Sequence, residues 1–110
     1  MPRKNKFLRF EELSLDDLIV GKSNVRSENV GVGFNSGKSI TTAGANVAVG
    51  HSALQNTTTG AGNPALGREA LLTNTTASNN TAVGKRALYL NTTGTENTAV
   101  GQLSLTSNTT

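Results

Sequence analysis

Few side chains in this sequence could do chemistry, and the nearest approach to a known motif is the stretch from Gly31 to Ser39. It ends in Gly-Lys-Ser, as does the phosphate-binding loop, whose backbone amides surround phosphate groups. That motif needs a glycine five residues before its Gly-Lys-Ser, and Val32 occupies this position. The match fails, so we expect no nucleotide site.

Residues suited to acid–base or metal chemistry do not form a set. His51 is the only histidine, cysteine is absent, and Glu69 and Glu96 are the only carboxylates after residue 28. Zinc sites use sets of cysteine and histidine, and calcium sites need several clustered oxygen ligands. We therefore expect no enzyme activity, no metal and no cofactor.

A 17-residue repeat organises the chain from Asn29 onward. Asparagine recurs at the first position of each copy, and glycine recurs four positions later. A small residue and then an apolar residue precede that glycine, and a pair that ends in leucine follows it in most copies. Such a short, fixed period is typical of stacked structures in which each repeat contacts its neighbours. Residues 29–110 hold four full repeats and a partial fifth, which suggests the beginning of a longer fibre, or a fragment of one.

Each repeat is predicted to form one 17-residue coil of an all-β, parallel β-solenoid (β-roll). The Ala-Val-Gly segment is expected to be a strand with its valine inward and its glycine at a bend or close approach. The Ala-Leu pair is expected to begin a second strand, and the Asn-Thr-Thr run leads into a turn. The predicted repeat core is Val32, Val49, Leu54, Leu66, Leu71, Val83, Leu88, Val100 and Leu105.

The composition predicts that the chain associates with copies of itself. Three phenylalanines, one tyrosine and no tryptophan leave little material for a globular core, and no disulfide can compensate. Ordering the backbone costs roughly 1–2 kcal/mol per residue, so small scaffolds often need a partner subunit. The net charge of +3 is mild, and no stretch has the ~20 apolar residues of a membrane span.

Residues 1–28 differ from the repeats because they carry most of the charged side chains. Their apolar residues do not distinguish helix from strand, so we predict an extended or partly helical arm. One interpretation is docking to another protein, with a cap over the first coil as the alternative; both roles are compatible. The predicted docking residues are Arg3, Lys4, Phe7, Leu8, Phe10, Leu13, Leu15 and Leu18.

The unit from Asn80 to Gly94 resembles repeats of bacteriophage tail-fibre and related virion proteins. It is also similar to repeats in the heads of trimeric autotransporter adhesins, and the resemblance covers residues 29–110. It implies trimers of left-handed β-rolls, in which Val49, Val83 and Val100 line subunit cores or the trimer centre.

The resemblance leads us to expect a structural protein of a phage particle that is localised in the virion after assembly in the host cytoplasm. Its arm would bind a tail or capsid protein, its repeats would form the proximal stalk, and any host surface molecule would be met beyond this segment. The alternative is a fragment of a bacterial adhesin head. Residues 13–26 also resemble the opening stretch of ParB-type partition proteins, but a domain of that kind does not fit before Asn29, so we expect no nucleic-acid partner.

Overall fold

The computed structural model describes Leu18–Val20 and residues 28–110. Of the predicted docking residues, Leu18 falls within these ranges, and only its backbone is described. The other predicted docking residues lie outside the described residues: Arg3, Lys4, Phe7, Leu8, Phe10, Leu13 and Leu15.

The described residues form one six-stranded sheet and contain no helix. Each strand has three residues, and the order of the strands in the sheet is their order in the chain. The predicted all-β class is confirmed for this part of the chain. The strands are β1 (Leu18–Val20), β2 (Val30–Val32), β3 (Val47–Val49), β4 (Pro64–Leu66), β5 (Thr81–Val83) and β6 (Thr98–Val100).

Strands β2 to β6 run parallel in a solenoid-like stack, and paired residues lie 17 positions apart in the chain. In the β3–β4 pair, Ala48 lies opposite Ala65 and Val49 lies opposite Leu66. Neighbouring strands in a sheet are about 4.8 Å apart. Equivalent residues of successive repeats therefore form straight rows along the stack.

Strand β1 lies at the edge of the sheet and pairs with β2 in the antiparallel direction. Ile19 lies opposite Gly31, between the pairs Leu18–Val32 and Val20–Val30. These three residues belong to the predicted arm, and their position is the one expected of a cap over the first repeat. The docking hypothesis concerns mainly residues outside the described ranges and stays a prediction.

The second strand predicted at the Ala-Leu pair is absent, and a compact turn takes its place. Ala53 N–H donates to the carbonyl of Gly50 at 3.1 Å, and Thr57 N–H donates to that of Leu54 at 3.3 Å. Leu54 has a φ of 52°. A left-handed residue interrupts extended backbone, so this segment cannot continue as a strand. It is still joined to the next repeat, because Leu54 N–H donates to the carbonyl of Ala70 at 3.0 Å.

The interior is narrow and is filled by alanine and leucine. The central residue of each strand from β3 to β6 points inward, as the buried Ala48, Ala65, Ala82 and Ala99 show. The leucines of the compact turns, Leu54, Leu71 and Leu88, have no exposed surface. Leu105, which holds the same position in the last repeat, is 47 % exposed.

The expectation that the valine of each strand points inward is wrong. Successive strand residues point to opposite sides, so an inward alanine forces its neighbours outward. The outward row consists of Val32, Val49, Leu66, Val83 and Val100, of which Val49 is half-buried and the others are exposed. Only the small side chain fits inward because the leucine turn closes the other side of the narrow interior.

The first repeat reaches the same interior with different residues. Gly37 stands where later repeats have Leu54, Leu71 and Leu88, and its φ of 59° is close to theirs. A Cβ atom at Gly37 would lie 3.1 Å from Cδ1 of Ile40, which is itself buried. Ile40, three residues after Gly37, therefore fills the space that a leucine fills in the later repeats.

Candidate functional site

A buried row of asparagines joins each repeat to the next. The Oδ1 atom of Asn46 accepts a hydrogen bond from the backbone N–H of Asn63 at 2.9 Å. The Nδ2 group of Asn46 donates to the carbonyl of Gly60 at 2.9 Å. The same pair of bonds recurs for Asn29, Asn63 and Asn80. Asparagine suits the position because one short side chain supplies both an acceptor and a donor.

A second polar row lies inside the turn that follows the leucine. Asn91 Nδ2 donates to Oδ1 of Asn74 at 3.2 Å, and Asn74 Nδ2 donates to Oγ1 of Thr57 at 3.2 Å. The two amides also donate to the carbonyls of Gly94 and Ala77. These asparagines begin the Asn-Thr-Thr runs that were predicted to lead into a turn. The side chains of both rows bind backbone carbonyls and so hold successive turns together.

The outward side chains of strands β2 to β6, eight apolar residues and two threonines, form a largely apolar surface, which we call the valine face. One row is the five residues Val32, Val49, Leu66, Val83 and Val100, and the other is Val30, Val47, Pro64, Thr81 and Thr98. None of the ten is charged. The exposed fraction is 40 % for Leu66, 36 % for Val83 and 69 % for Val100. Contiguous apolar surface of this kind marks interaction sites on soluble proteins.

Four of the charged side chains in the repeats, Arg68, Glu69, Lys85 and Arg86, lie in the turns that follow β4 and β5, whereas Glu96 comes just before β6. His51, Arg68 and Lys85 occupy the same position in three successive repeats and are exposed. Glu69 accepts a hydrogen bond from Nε of Arg86 at 2.7 Å. This hydrogen bond, aided by the nearby positive charges, lowers the pKa of Glu69. The strand residues that form the valine face carry no charge themselves.

Two kinds of site considered from the sequence, a metal site and a nucleotide site, can be compared with the described residues. Groups of three or more histidine, cysteine, aspartate or glutamate side chains do not occur there. Gly33, in the stretch that partly matches a phosphate-binding loop, stacks on the backbone of Gly50, and a Cβ at Gly33 would lie 2.9 Å from its carbonyl carbon. A side chain at Gly33 would therefore collide with the backbone of the next repeat, so the stacking of the repeats by itself accounts for this glycine.

Comparison with protein-family models, curated proteins and solved structures finds no match to this chain. Within residues 18–20 and 28–110, no helix is long and apolar enough to cross a membrane. The resemblance to fibre repeats therefore stays a prediction. Sequence reasoning had placed Val32, Val49, Leu66, Val83 and Val100 in a core, and the structure brings them together on an outer surface instead.

Proposed function

We propose that this chain is a structural protein of a bacteriophage particle, built as a trimeric fibre of 17-residue β-solenoid coils. The observation that carries the proposal is the valine face, which is largely apolar, uncharged and extends over five strands. In this proposal three valine faces meet around the fibre axis. The three-fold number itself comes from the resemblance to virion and adhesin repeats.

The small size of the interior supports assembly from several copies. The inward strand residues are alanine from β3 onward and glycine in β2, so a single copy buries few large side chains. Fully burying a valine or leucine side chain stabilises by about 1.5–3 kcal/mol. The side chains of the valine face are partly exposed, so part of that stabilisation is obtained only when another surface covers them.

A second copy is the partner that fits this surface best. Apolar side chains on the valine face recur at the spacing of the strands, and a parallel copy presents the same spacing along its whole length. A partner whose side chains do not recur about every 4.8 Å would match one repeat and lose register at the next. Since the face is uncharged, copies would approach without repulsion across it.

The arm would join this fibre to the rest of the particle. Residues 1–28 carry 11 of the 17 charged side chains together with a set of apolar residues, which suits binding to a tail or capsid protein. The repeats would then form the proximal part of a stalk, with any contact to a host surface molecule further along it. The place of action is the virion.

Trimer formation is tested by sedimentation equilibrium of the full chain and of Val83→Lys. The parent protein should have three times the chain mass of 11.4 kDa, and the lysine should shift it toward monomer by placing charge at the centre. Gln102→Lys adds the same charge at an exposed turn position and should leave the mass unchanged. A folded monomer of the parent chain would refute the assembly.

Docking is tested separately by deleting residues 2–17, which leaves β1 and all repeats in place. The proposal expects normal trimers that no longer enter phage particles. Incorporation at the parent level would show that the arm does not attach the fibre. Loss of trimers would instead show that residues 2–17 belong to the fold.

A further inference from the structure

The outer edge of β2 carries backbone groups that point away from β3 and pair with β1. Val30 N–H donates to the carbonyl of Asn46 at 2.9 Å, and Gly50 N–H donates to the carbonyl of Val32 at 2.8 Å. These groups face β3. Because N–H and C=O groups alternate in direction along a strand, those of Gly31 face the opposite way, toward Ile19 of β1.

This edge lacks the features by which proteins commonly protect an open strand. Val30–Val32 contains no charge and no proline, and its two valines are 39 % and 37 % exposed. It also accepts an antiparallel strand, as its pairing with β1 shows. A β2 strand from a second copy has the same length and could pair around Gly31, so that each Val30 lies opposite the partner's Val32.

We propose that the β2 edge is a self-association surface, and that Leu18–Val20, the guard strand, keeps it closed. This inference goes beyond the proposed fibre because it concerns the end of the stack and not its sides. The guard strand runs against the direction of all the other strands, so it also interrupts the parallel register that a further repeat would need.

The guard strand outcompetes a second copy because it belongs to the same chain. Nine residues, 21–29, connect it to β2. A connection of so few residues gives an effective concentration in the millimolar range, far above the micromolar concentration of a second copy. The edge opens to another copy when the guard strand is lost.

Pairing of two β2 edges is isologous, because the same residues contribute from both sides. Such a contact closes on itself and cannot continue into a filament. Loss of the guard strand should therefore double the mass of the assembly, and the assembly should grow no further. For a trimer, the product would be two trimers joined end to end.

The test uses Ile19→Pro in the full chain, because proline removes the N–H group that pairs with Gly31. Ile19→Thr keeps that N–H and is the matched control. Light scattering over a range of micromolar concentrations should give twice the parent mass for Ile19→Pro and the parent mass for Ile19→Thr. Hydrogen exchange at the Gly31 amide should be slow in the parent and concentration-dependent in Ile19→Pro.

A second pair of variants tests the same point without relying on a proline substitution. Deletion of residues 2–20 removes the guard strand, whereas deletion of 2–17 keeps it, and the first alone should double in mass. Fast Gly31 exchange at all concentrations without added mass would overturn the proposal, as would unchanged exchange in both Ile19→Pro and the 2–20 deletion. Growth beyond twofold would overturn the isologous pairing. A parent monomer that becomes a dimer would support this inference while refuting the proposed trimer.

Discussion

Asn63→Ala offers the most direct test of how the repeats are held together. The side chain of Asn63 is fully buried in the asparagine row. Its Oδ1 atom accepts from the N–H of Asn80 at 2.9 Å, and its Nδ2 group donates to the carbonyl of Ala77 at 3.0 Å. Alanine removes both bonds and leaves the backbone groups in place.

The cost follows from which of these backbone groups keeps a partner. The carbonyl of Ala77 still accepts from Asn74 at 3.1 Å, so only one of its bonds is lost, at about 0.5–1.5 kcal/mol. The N–H of Asn80 is buried and has no replacement, which costs about 1–3 kcal/mol. The free energy of unfolding should therefore fall by about 1.5–4.5 kcal/mol.

The assay is urea unfolding followed by circular dichroism, at one protein concentration because association adds to apparent stability. Asn97→Ala is the matched control. Asn97 belongs to the same row, but its amide donates to the carbonyl of Thr110 in an exposed setting, and no described repeat follows it. Water can replace that bond, so the control should lose at most about 1 kcal/mol.

Equal losses in the two variants would refute the argument, because burial and the orphaned amide are what distinguish them. A loss below about 1 kcal/mol for Asn63→Ala would also refute it, since the Asn80 amide would then have found another partner.

Three further predictions concern single positions in the stack. Gly67→Ala should destabilise far more than Gly101→Ala in thermal unfolding: their φ values are 132° and 126°, but an added Cβ meets a backbone oxygen at 2.5 Å in the first and only a side chain at 3.7 Å in the second. Gly37→Leu should destabilise alone and be rescued by Ile40→Thr, with a coupling energy of about 0.5–3 kcal/mol in a double-mutant cycle; additive losses would contradict the shared space. Because the pKa of Glu69 is lowered in the folded protein, the small advantage of the parent over Glu69→Gln should be present at neutral pH and disappear as the pH falls through that pKa, as urea midpoints at several pH values would show. An advantage that persists in acid would exclude the ion pair as its source.

The stacking itself could be predicted from the sequence because every repeat places the same residue types at the same positions. Short strands at Ala-Val or similar pairs, parallel pairing and a 17-residue register all follow from that repetition. The asparagine row carried a signal as well, since Asn29, Asn46, Asn63, Asn80 and Asn97 recur without exception. Their role depends on carbonyls 14 residues away, such as Ala77 for Asn63, and only the folded turn brings these groups together.

The errors came from positions where two apolar residues are neighbours. In Ala82-Val83 either side chain could point inward by polarity, and hydropathy alone favours the larger one. The structure places Ala82 inside and Val83 outside because the leucine turn leaves a narrow space across the interior. The same turn was predicted as a strand. Leu88 has a left-handed backbone there, and leucine rarely adopts that conformation, so nothing in the residue type indicates a turn.

The sequence by itself determined the period, the β class and the boundary between the charged segment and the repeats, because these depend on composition and spacing along the chain. The tertiary structure alone decided which side of each strand is exposed, where Leu18–Val20 pairs, and which carbonyls the buried amides reach. Those outcomes depend on distances between segments that are far apart in the chain, and such distances are set only when the turns close and the repeats stack.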